Sequence, residues 1–174
     1  MPPFVLVLNG ASSAGKTSIA RALQRLAPTP VLHASLDTFT DMFHWPAILD
    51  PERRRECHRA AVTSFHVALP QLAAGGFSVV VDHVFEQPAW FEACRDALRD
   101  HSPVWVGVHC PLTVLETREA ARGDRRIGLA RWQSGRVHLA PTYALSLDTS
   151  VLTPDECARR LLDHLARPHP PGHA

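Results

Sequence analysis

The chain has 174 residues, 45% of them apolar and 20% charged, which is typical of one folded domain rather than of a disordered segment. Its 18 basic and 17 acidic side chains give a net charge of +1, so the charge does not indicate binding to nucleic acid or to an anionic membrane. No apolar stretch is long enough to span a membrane, and the amino terminus lacks the charged lead of a secretion signal. We therefore expect a cytoplasmic protein.

The cysteines and the single lysine indicate which kinds of functional site to expect. The four cysteines lie far apart and show no zinc-ligand spacing, so we expect reduced thiols and no disulfide framework. Seventeen of the 18 basic residues are arginine. The position of the single lysine, Lys16, is therefore informative.

The predicted elements alternate between strands and helices along the chain. Short apolar runs predict strands at 4–9, 31–36, 77–82, 104–110 and 144–147. Helical spacing, with proline, glycine or a capping residue at the boundaries, predicts helices at 17–26, 51–74, 88–98, 112–122 and 154–165. This alternation predicts a single-domain α/β fold with a doubly wound parallel sheet of about five strands.

A glycine-rich segment stands between the first predicted strand and the first predicted helix. Its sequence is Gly10-Ala11-Ser12-Ser13-Ala14-Gly15-Lys16-Thr17, which matches the P-loop pattern G-x-x-x-x-G-K-[ST] in full. In such a loop backbone N–H groups turn toward the phosphates, the lysine reaches the β- and γ-phosphates, and the hydroxyl at the last position coordinates Mg²⁺. We predict that these eight residues bind ATP or GTP with Mg²⁺.

Two acidic residues, Asp37 and Asp82, stand at the ends of predicted strands, the edge at which ligands bind in doubly wound sheets. We predict that Asp37 accepts the proton of an attacking hydroxyl while Lys16 stabilises the transferred group. Asp82 has the Walker B pattern and is predicted to hold Mg²⁺ together with Thr17. The alternatives are that Asp37 caps the segment after it and that Asp82 lies in a simple turn.

Three arginines follow at helical spacing. Arg118, Arg122 and Arg125 would share one face of a continuous helix, and Gly123 offers a hinge. We predict a lid at about 118–136 that places Arg122 and Arg125 on the nucleotide phosphates, with Arg125 catalytic. Alternatively, the arginines lie on a solvent-exposed face and pair with Glu116, Glu119 and Asp124.

Aromatic side chains cluster after both acidic residues and predict an apolar acceptor pocket, although core packing explains many of them equally well. The candidates for contact with the acceptor are Phe39, Phe43, Trp45, His83 and Phe85. We predict one P-loop domain over 1–166 and a flexible tail over 167–174.

These segments together resemble chloramphenicol phosphotransferase and its relatives, over about residues 4–165. The segments that carry the resemblance are 9–16, Asp37, 81–85, 106–110, 119–125, Gln133, 137–138, Tyr143 and 147–149. The resemblance implies an ATP-dependent O-phosphotransferase that inactivates an antibiotic by phosphorylating a hydroxyl. It further implies Asp37 as the base, Arg122 and Arg125 on the phosphates, and Gln133 and His138 as candidates for acceptor binding.

The chain departs from this family on the acceptor side. The stretch 42–56 is shorter, His83 stands where an acid is expected, and Ala144 replaces an acid. The nearest alternative is a small-metabolite kinase, which for a strongly anionic substrate needs basic residues near Asp37, whereas 42–46 offers only His44. A non-catalytic nucleotide-binding switch module would not need Asp37. The acceptor, the choice between ATP and GTP, and the oligomeric state stay open.

Overall fold

The computed structural model describes residues 1–122, 127–139 and 141–167. Within these ranges the strands are β1 Val5–Asn9, β2 Val31–Ser35, β3 Ser78–His83, β4 Val104–His109 and β5 Leu145–Asp148. The α-helices are α1 Lys16–Leu26, α2 Leu36–Thr40, α3 Pro51–Ala73, α4 Pro88–Leu98, α5 Leu112–Arg122, α6 Leu129–Ser134 and α7 Pro154–Ala166. Short 3₁₀ turns cover Trp45–Ala47 and Arg99–His101.

The strands form one sheet in the order β2-β3-β1-β4-β5, and every neighbouring pair is parallel. This confirms the predicted doubly wound parallel sheet. Because all the strands run the same way, their carboxyl ends meet at one edge, where ligands bind in this architecture. The loops after β1, β2 and β3 therefore meet at that edge.

Side-chain alternation along β1 divides the core into two layers. Leu6 and Leu8 pack with apolar residues of α1, α5 and α7, whereas Val5 and Val7 pack with those of α3 and α4. Both faces of the central strands are thus covered, which is why β1 and β3 are buried along their whole length, whereas the edge strand β5 alternates between apolar and polar residues. Each fully buried side chain of this size contributes about 1.5 to 3 kcal/mol to folding.

Two helix starts follow the capping rules that the sequence suggested. Thr153 forms a reciprocal capping box with Glu156 at the start of α7. Asp50 accepts from Glu52 N at 3.2 Å and from Arg53 N at 3.1 Å, and Pro51 occupies the first position of α3. No helix in the described ranges has the length and apolarity needed to cross a bilayer.

The structure also contains two short helices that the sequence analysis did not predict. Leu36, assigned to the second strand, begins α2 instead, and α6 occupies part of the predicted lid. Helices of five and six residues are too short to show a full apolar period. Residues 123–126 of the predicted lid and 168–174 of the predicted tail lie outside the described ranges.

Candidate functional site

The loop between β1 and α1 needs glycine at two positions for different reasons. A Cβ at Gly10 would lie 2.3 Å from the carbonyl oxygen of Val108, so β4 leaves no room for a side chain. Gly15 has φ 94°, a left-handed conformation that other residues adopt at a cost. Ser13, which is not glycine, also has a positive φ of 64°. The loop is therefore a strained, closely packed turn, as expected of a phosphate cradle.

Lys16 and Asp82 form a buried charged centre at the base of this loop. The two side chains are only 7% and 6% exposed, and Lys16 Nζ lies 3.9 Å from Asp82 Oδ1. Thr17 Oγ1 donates to Asp82 Oδ2 at 2.7 Å, and His33 Nε2 lies 3.4 Å from the same oxygen. Burial raises the pKa of this carboxyl, but the contacts with His33, Lys16 and Thr17 outweigh burial, so the pKa lies below its ordinary value. Asp82 is therefore ionised at neutral pH.

The polar groups of this centre fit a magnesium-bound triphosphate. Ser13 Oγ is buried and has no hydrogen-bond partner among the described residues, although it lies in the cradle. A phosphate oxygen would satisfy it. Thr17 and Asp82 bring a hydroxyl and a carboxylate together, which are oxygen ligands of the kind that Mg²⁺ prefers.

Two adjoining cavities open at this edge of the sheet. The first, of about 450 Å³, is bordered by the loop from Ser12 to Ile19 and by Asp82, and we call it the phosphate-loop cavity. The second, of about 1070 Å³, is bordered by α2, the start of α3 and α6, and we call it the outer cavity. Asp37, in the first turn of α2, borders both. An acidic residue therefore stands where the two cavities meet.

Two of the three arginines predicted to share a helical face, Arg118 and Arg122, also border the phosphate-loop cavity. Arg118 donates through Nη1 to Thr149 Oγ1 at 3.1 Å and through Nη2 to Thr149 O at 2.7 Å. Thr149 Oγ1 in turn donates to Ala14 O at 2.8 Å, which connects Arg118 to the loop. Arg122 is exposed at the end of α5. Arg125 lies outside the described residues.

The acidic residues beside these arginines have other partners. Glu119 is 1% exposed and accepts from Gly128 N at 2.7 Å and from Ala130 N at 2.8 Å, so it caps α6. Glu116 pairs with Arg131 at 2.7 Å. Glu119 and Glu116 therefore bond to the start of α6 and to Arg131, and Asp124, the third acidic residue of that alternative, lies outside the described residues.

Gln133, on α6, connects the phosphate loop to the loop after β3. Its Oε1 accepts from Ser12 N at 2.6 Å, and its Nε2 donates to Glu86 Oε1 at 2.6 Å. The side chain is buried and borders both cavities. Gln133 thus holds the loop at the cavity junction, a position consistent with its predicted place near the acceptor.

His83 and Phe85 lie in the core and not at the cleft where they were predicted. Successive β3 residues face opposite layers, so Asp82 faces the phosphate loop and His83 faces α3. His83 Nε2 lies 2.8 Å from His66 Nε2, and its ring stacks on Phe85 at 4.2 Å. Burial, together with the nearby His66, lowers the pKa of His83 to about 3, so the ring is neutral.

The other predicted aromatic contacts divide between the core and the outer cavity. Phe39 packs edge-on against Phe65 at 5.1 Å, and Phe43 packs on Trp45 at 5.5 Å. Trp45 borders the outer cavity, and its Nε1 donates to Thr40 O at 2.9 Å. Among these aromatic side chains, Trp45 is therefore the best placed to contact an acceptor.

His138 lies on the other side of the phosphate loop from the outer cavity. It borders a third, separate cavity of about 320 Å³ together with Ala11 and Ala14. Its Nδ1 lies 2.7 Å from the Tyr143 hydroxyl oxygen, and its ring stacks on His109 at 4.1 Å. Burial lowers the pKa of His138 to about 4. The placement of His138 in the acceptor pocket is thus corrected: the loop separates the two.

The sequence analysis missed a basic group at the outer cavity. Arg54, Arg55, His58 and Arg59, all in the first three turns of α3, border it. The expectation that basic residues are scarce near Asp37 was wrong, because it considered only the segment next to Asp37 in sequence. The spacing i, i+3 and i+4 of Arg55, His58 and Arg59 was the signal that could have found them.

Known proteins with similar sequence or structure include an O-phosphotransferase and several kinases. The chain is 29% identical over 197 residues to a protein of Mycobacterium tuberculosis strain H37Rv named an O-phosphotransferase, covering 95% of this chain and 84% of the relative. The APS kinase of M. tuberculosis, solved with AMPPNP and APS, aligns with TM-score 0.71 at 18% identity over 96% of this chain and 100% of the other. The tunicamycin resistance protein of Deinococcus radiodurans aligns with TM-score 0.68 at 16% identity, over 98% and 100%.

The family comparison agrees with the geometry of the loop and the two cavities. The model of the family described as chloramphenicol phosphotransferase-like protein matches residues 4–166, nearly the span over which the resemblance was predicted. The chain is accordingly a P-loop phosphotransferase enzyme. By this match over almost its whole length, it belongs to the chloramphenicol phosphotransferase-like family.

Proposed function

We propose that the chain transfers the γ-phosphoryl group of ATP or GTP to a hydroxyl group of a small molecule held in the outer cavity. The observation that carries this proposal is the position of Asp37, which borders both the phosphate-loop cavity and the outer cavity. A hydroxyl entering from the outer cavity would meet the terminal phosphate beside this carboxylate. This position between the two cavities supports Asp37 as the general base, which must reach the hydroxyl proton.

In the proposed reaction the acceptor oxygen forms a bond to the γ-phosphorus while the bond to the β–γ bridging oxygen breaks. The hydroxyl proton passes to the Asp37 carboxylate, and the nucleoside diphosphate leaves. Lys16, whose Nζ is held by Ala11 O at 3.0 Å and by Asp82, is positioned in advance for the β- and γ-phosphates. Its charge therefore needs little reorganisation during transfer.

Thr17 and Asp82 are the proposed ligands of Mg²⁺ or of its water molecules. When bound, Mg²⁺ offsets the negative charge on the phosphate oxygens. The hydrogen bond from Thr17 to Asp82 fixes both side chains before any ligand arrives. Arg122, at the end of α5 beside the same cavity, is proposed to contact the phosphates, and Arg125 is proposed to do so from the lid.

The family resemblance supports an antibiotic as the acceptor. One observation favours the second candidate, a small-metabolite kinase: the arginines of α3 border the outer cavity, as an anionic substrate would require. Both candidates share the same transfer chemistry and differ only in the molecule bound. A screen of hydroxylated antibiotics and metabolites for a triphosphate-dependent mass gain of one phosphate distinguishes them.

Asp37→Asn is the test of the proposed mechanism, with Asp41→Asn as its matched control. Asp41 ends the same helix and borders only the outer cavity. We expect Asp37→Asn to lower the transfer rate by about 10²- to 10⁴-fold with nucleotide affinity unchanged, and Asp41→Asn to lower it far less. Equal losses in the two variants, or a near-parental rate in Asp37→Asn, would remove Asp37 from the reaction.

A further inference from the structure

The wall of the outer cavity formed by α3 has an uneven distribution of charge. Residues 50–59 include three acidic residues and four arginines. Three of the arginines border the outer cavity, and none of the three acidic residues does. Most of the positive side chains of this segment thus border the cavity, and none of its carboxylates does.

The helical geometry of α3 explains why these side chains face inward. Further along the helix, Val62, Phe65 and Leu69 pack into the core against the sheet. His58 and Arg55 precede Val62 by four and seven residues, so they continue the same face of the helix beyond the sheet edge. No residue of α3 before Ala61 is buried, and there the helix borders the outer cavity instead.

The arginines on this wall are not all equally available to a ligand. Arg54 donates to Trp45 O at 3.0 Å and to Ile48 O at 2.9 Å, so it holds the loop before α3. Arg55 pairs with Glu52, whose other oxygen lies 4.0 Å from Arg59. One carboxylate therefore serves two guanidinium groups, which leaves excess positive charge at Arg55 and Arg59.

The carboxylates that do border the outer cavity lie on other elements. Asp37 lies in α2, Asp41 follows its last residue, and Glu86 accepts from Gln133 at the junction of the two cavities. Asp37 reaches the phosphate-loop cavity, whereas Arg55 and Arg59 border only the outer one. The outer cavity consequently has an acidic end for the reacting hydroxyl and a basic end away from it.

Indole rings also border the outer cavity. Three of the four tryptophans, Trp45, Trp90 and Trp132, border the outer cavity. Trp132 lies on α6 and is 45% exposed, and Trp90 on α4 has the His58 ring 5.7 Å away. Flat aromatic faces of this kind suit a planar ring system, which gains contact area at low entropic cost.

We infer that the acceptor is an alcohol that carries a flat ring and, away from the reacting hydroxyl, an anionic group recognised by Arg55 and Arg59. The inference rests on the proposed function, because it assigns the outer cavity to the acceptor. The anionic group is a carboxylate or a phosphate ester, since both match the fork of a guanidinium group.

The test compares three probes of similar shape: para-hydroxymethylbenzoate, para-hydroxymethylphenyl phosphate and the neutral methyl ester of the benzoate. Their dissociation constants are measured by ligand-observed NMR on the full chain. We expect at least one anion to bind about tenfold more tightly than the ester, with a dissociation constant in the millimolar range or below. The anion that binds more tightly shows whether the anionic group of the acceptor is a carboxylate or a phosphate ester.

Variants on the cavity side and on the other side of α3 show which arginines cause the preference for the anion. Arg55→Gln/Arg59→Gln is expected to reduce the preference for the anion to within about twofold and to leave ester binding unchanged. Arg53→Gln is the matched control, because Arg53 is also exposed and paired, with Glu56 at 2.8 Å, but does not border the cavity. Arg53→Gln is expected to keep the full preference for the anion over the ester. Added salt should weaken anion binding to the parental chain and not ester binding, which tests the inference without any substitution.

Three results would overturn the inference: no binding of either anion at millimolar concentration, equal binding of anion and ester, or a preference that survives in the double variant. Phosphate transfer to each probe, measured on the same samples, separates this inference from the proposed function. Transfer to the ester as efficient as transfer to the anions refutes the inference and supports the function. An anion preference without any transfer from ATP or GTP supports the cavity assignment and counts against the function.

Discussion

Replacing Glu119 with alanine removes a buried carboxylate that connects α5 to the start of α6. This side chain is 1% exposed and accepts two backbone hydrogen bonds, from Gly128 N and Ala130 N. Gly128 is exposed, so water can replace the lost oxygen there, but the Ala130 N–H is buried. An unsatisfied buried donor costs about 1 to 3 kcal/mol, and the lost side-chain methylene adds about 1 kcal/mol. We therefore expect the free energy of unfolding to fall by about 3 kcal/mol.

For a chain of this length that loss corresponds to a decrease in Tm of about 6 to 12 °C. Urea unfolding of Glu119→Ala measures the free energy, and Glu116→Ala, one turn earlier on α5, is the control. Glu116 pairs with the exposed Arg131, so its removal should cost no more than about 0.5 kcal/mol. Equal losses in the two variants would refute the capping role of Glu119.

The same variant should also weaken nucleotide binding. Helix α6 carries Gln133, whose Oε1 accepts from Ser12 N in the phosphate loop. Once α6 loses its cap, this contact loosens, and we expect the affinity for ATP to fall several-fold, by about 1 kcal/mol. Titration of ATP at a temperature where both variants are folded measures this effect. Parental affinity in Glu119→Ala would show that α6 and the loop are independent.

Three further predictions concern the phosphate-loop cavity. Lys16→Ala should abolish transfer and weaken triphosphate binding while the circular dichroism spectrum is retained, and unchanged turnover would contradict the P-loop role. Asp82→Asn should raise the Mg²⁺ concentration required for transfer. The low pKa of Asp82 stabilises the parental fold at neutral pH, and this stabilisation is lost as the pH falls from the ordinary pKa of 3.8 toward the lower pKa of the folded state. Acid unfolding should therefore depend less on pH in the variant. Arg122→Ala should lower kcat more than it raises the acceptor KM, whereas an arginine that only faces solvent would change neither.

Local sequence determined the elements and the phosphate loop, because their signals lie within a few neighbouring residues. The apolar run of β1, the eight-residue P-loop pattern and the last helix each occupy one continuous segment, and each is found within a residue of where it was predicted. The predicted bounds of α5, 112–122, agree with the structure, whereas β3 begins and ends one residue later than the predicted 77–82. No local pattern predicts the order of the strands in the sheet, because general rules of chain topology only exclude some of the possible orders.

The surroundings of the acceptor were decided by tertiary structure. His83 follows Asp82 directly, yet the pleat of β3 directs the two side chains to opposite faces of the sheet, and packing on His66 and Phe85 buries the histidine. Arg55 and Arg59 are 18 and 22 residues from Asp37 but reach the same cavity, because α3 extends past the edge of the sheet. Distances of this kind depend on how helices pack across the sheet, which no local pattern encodes.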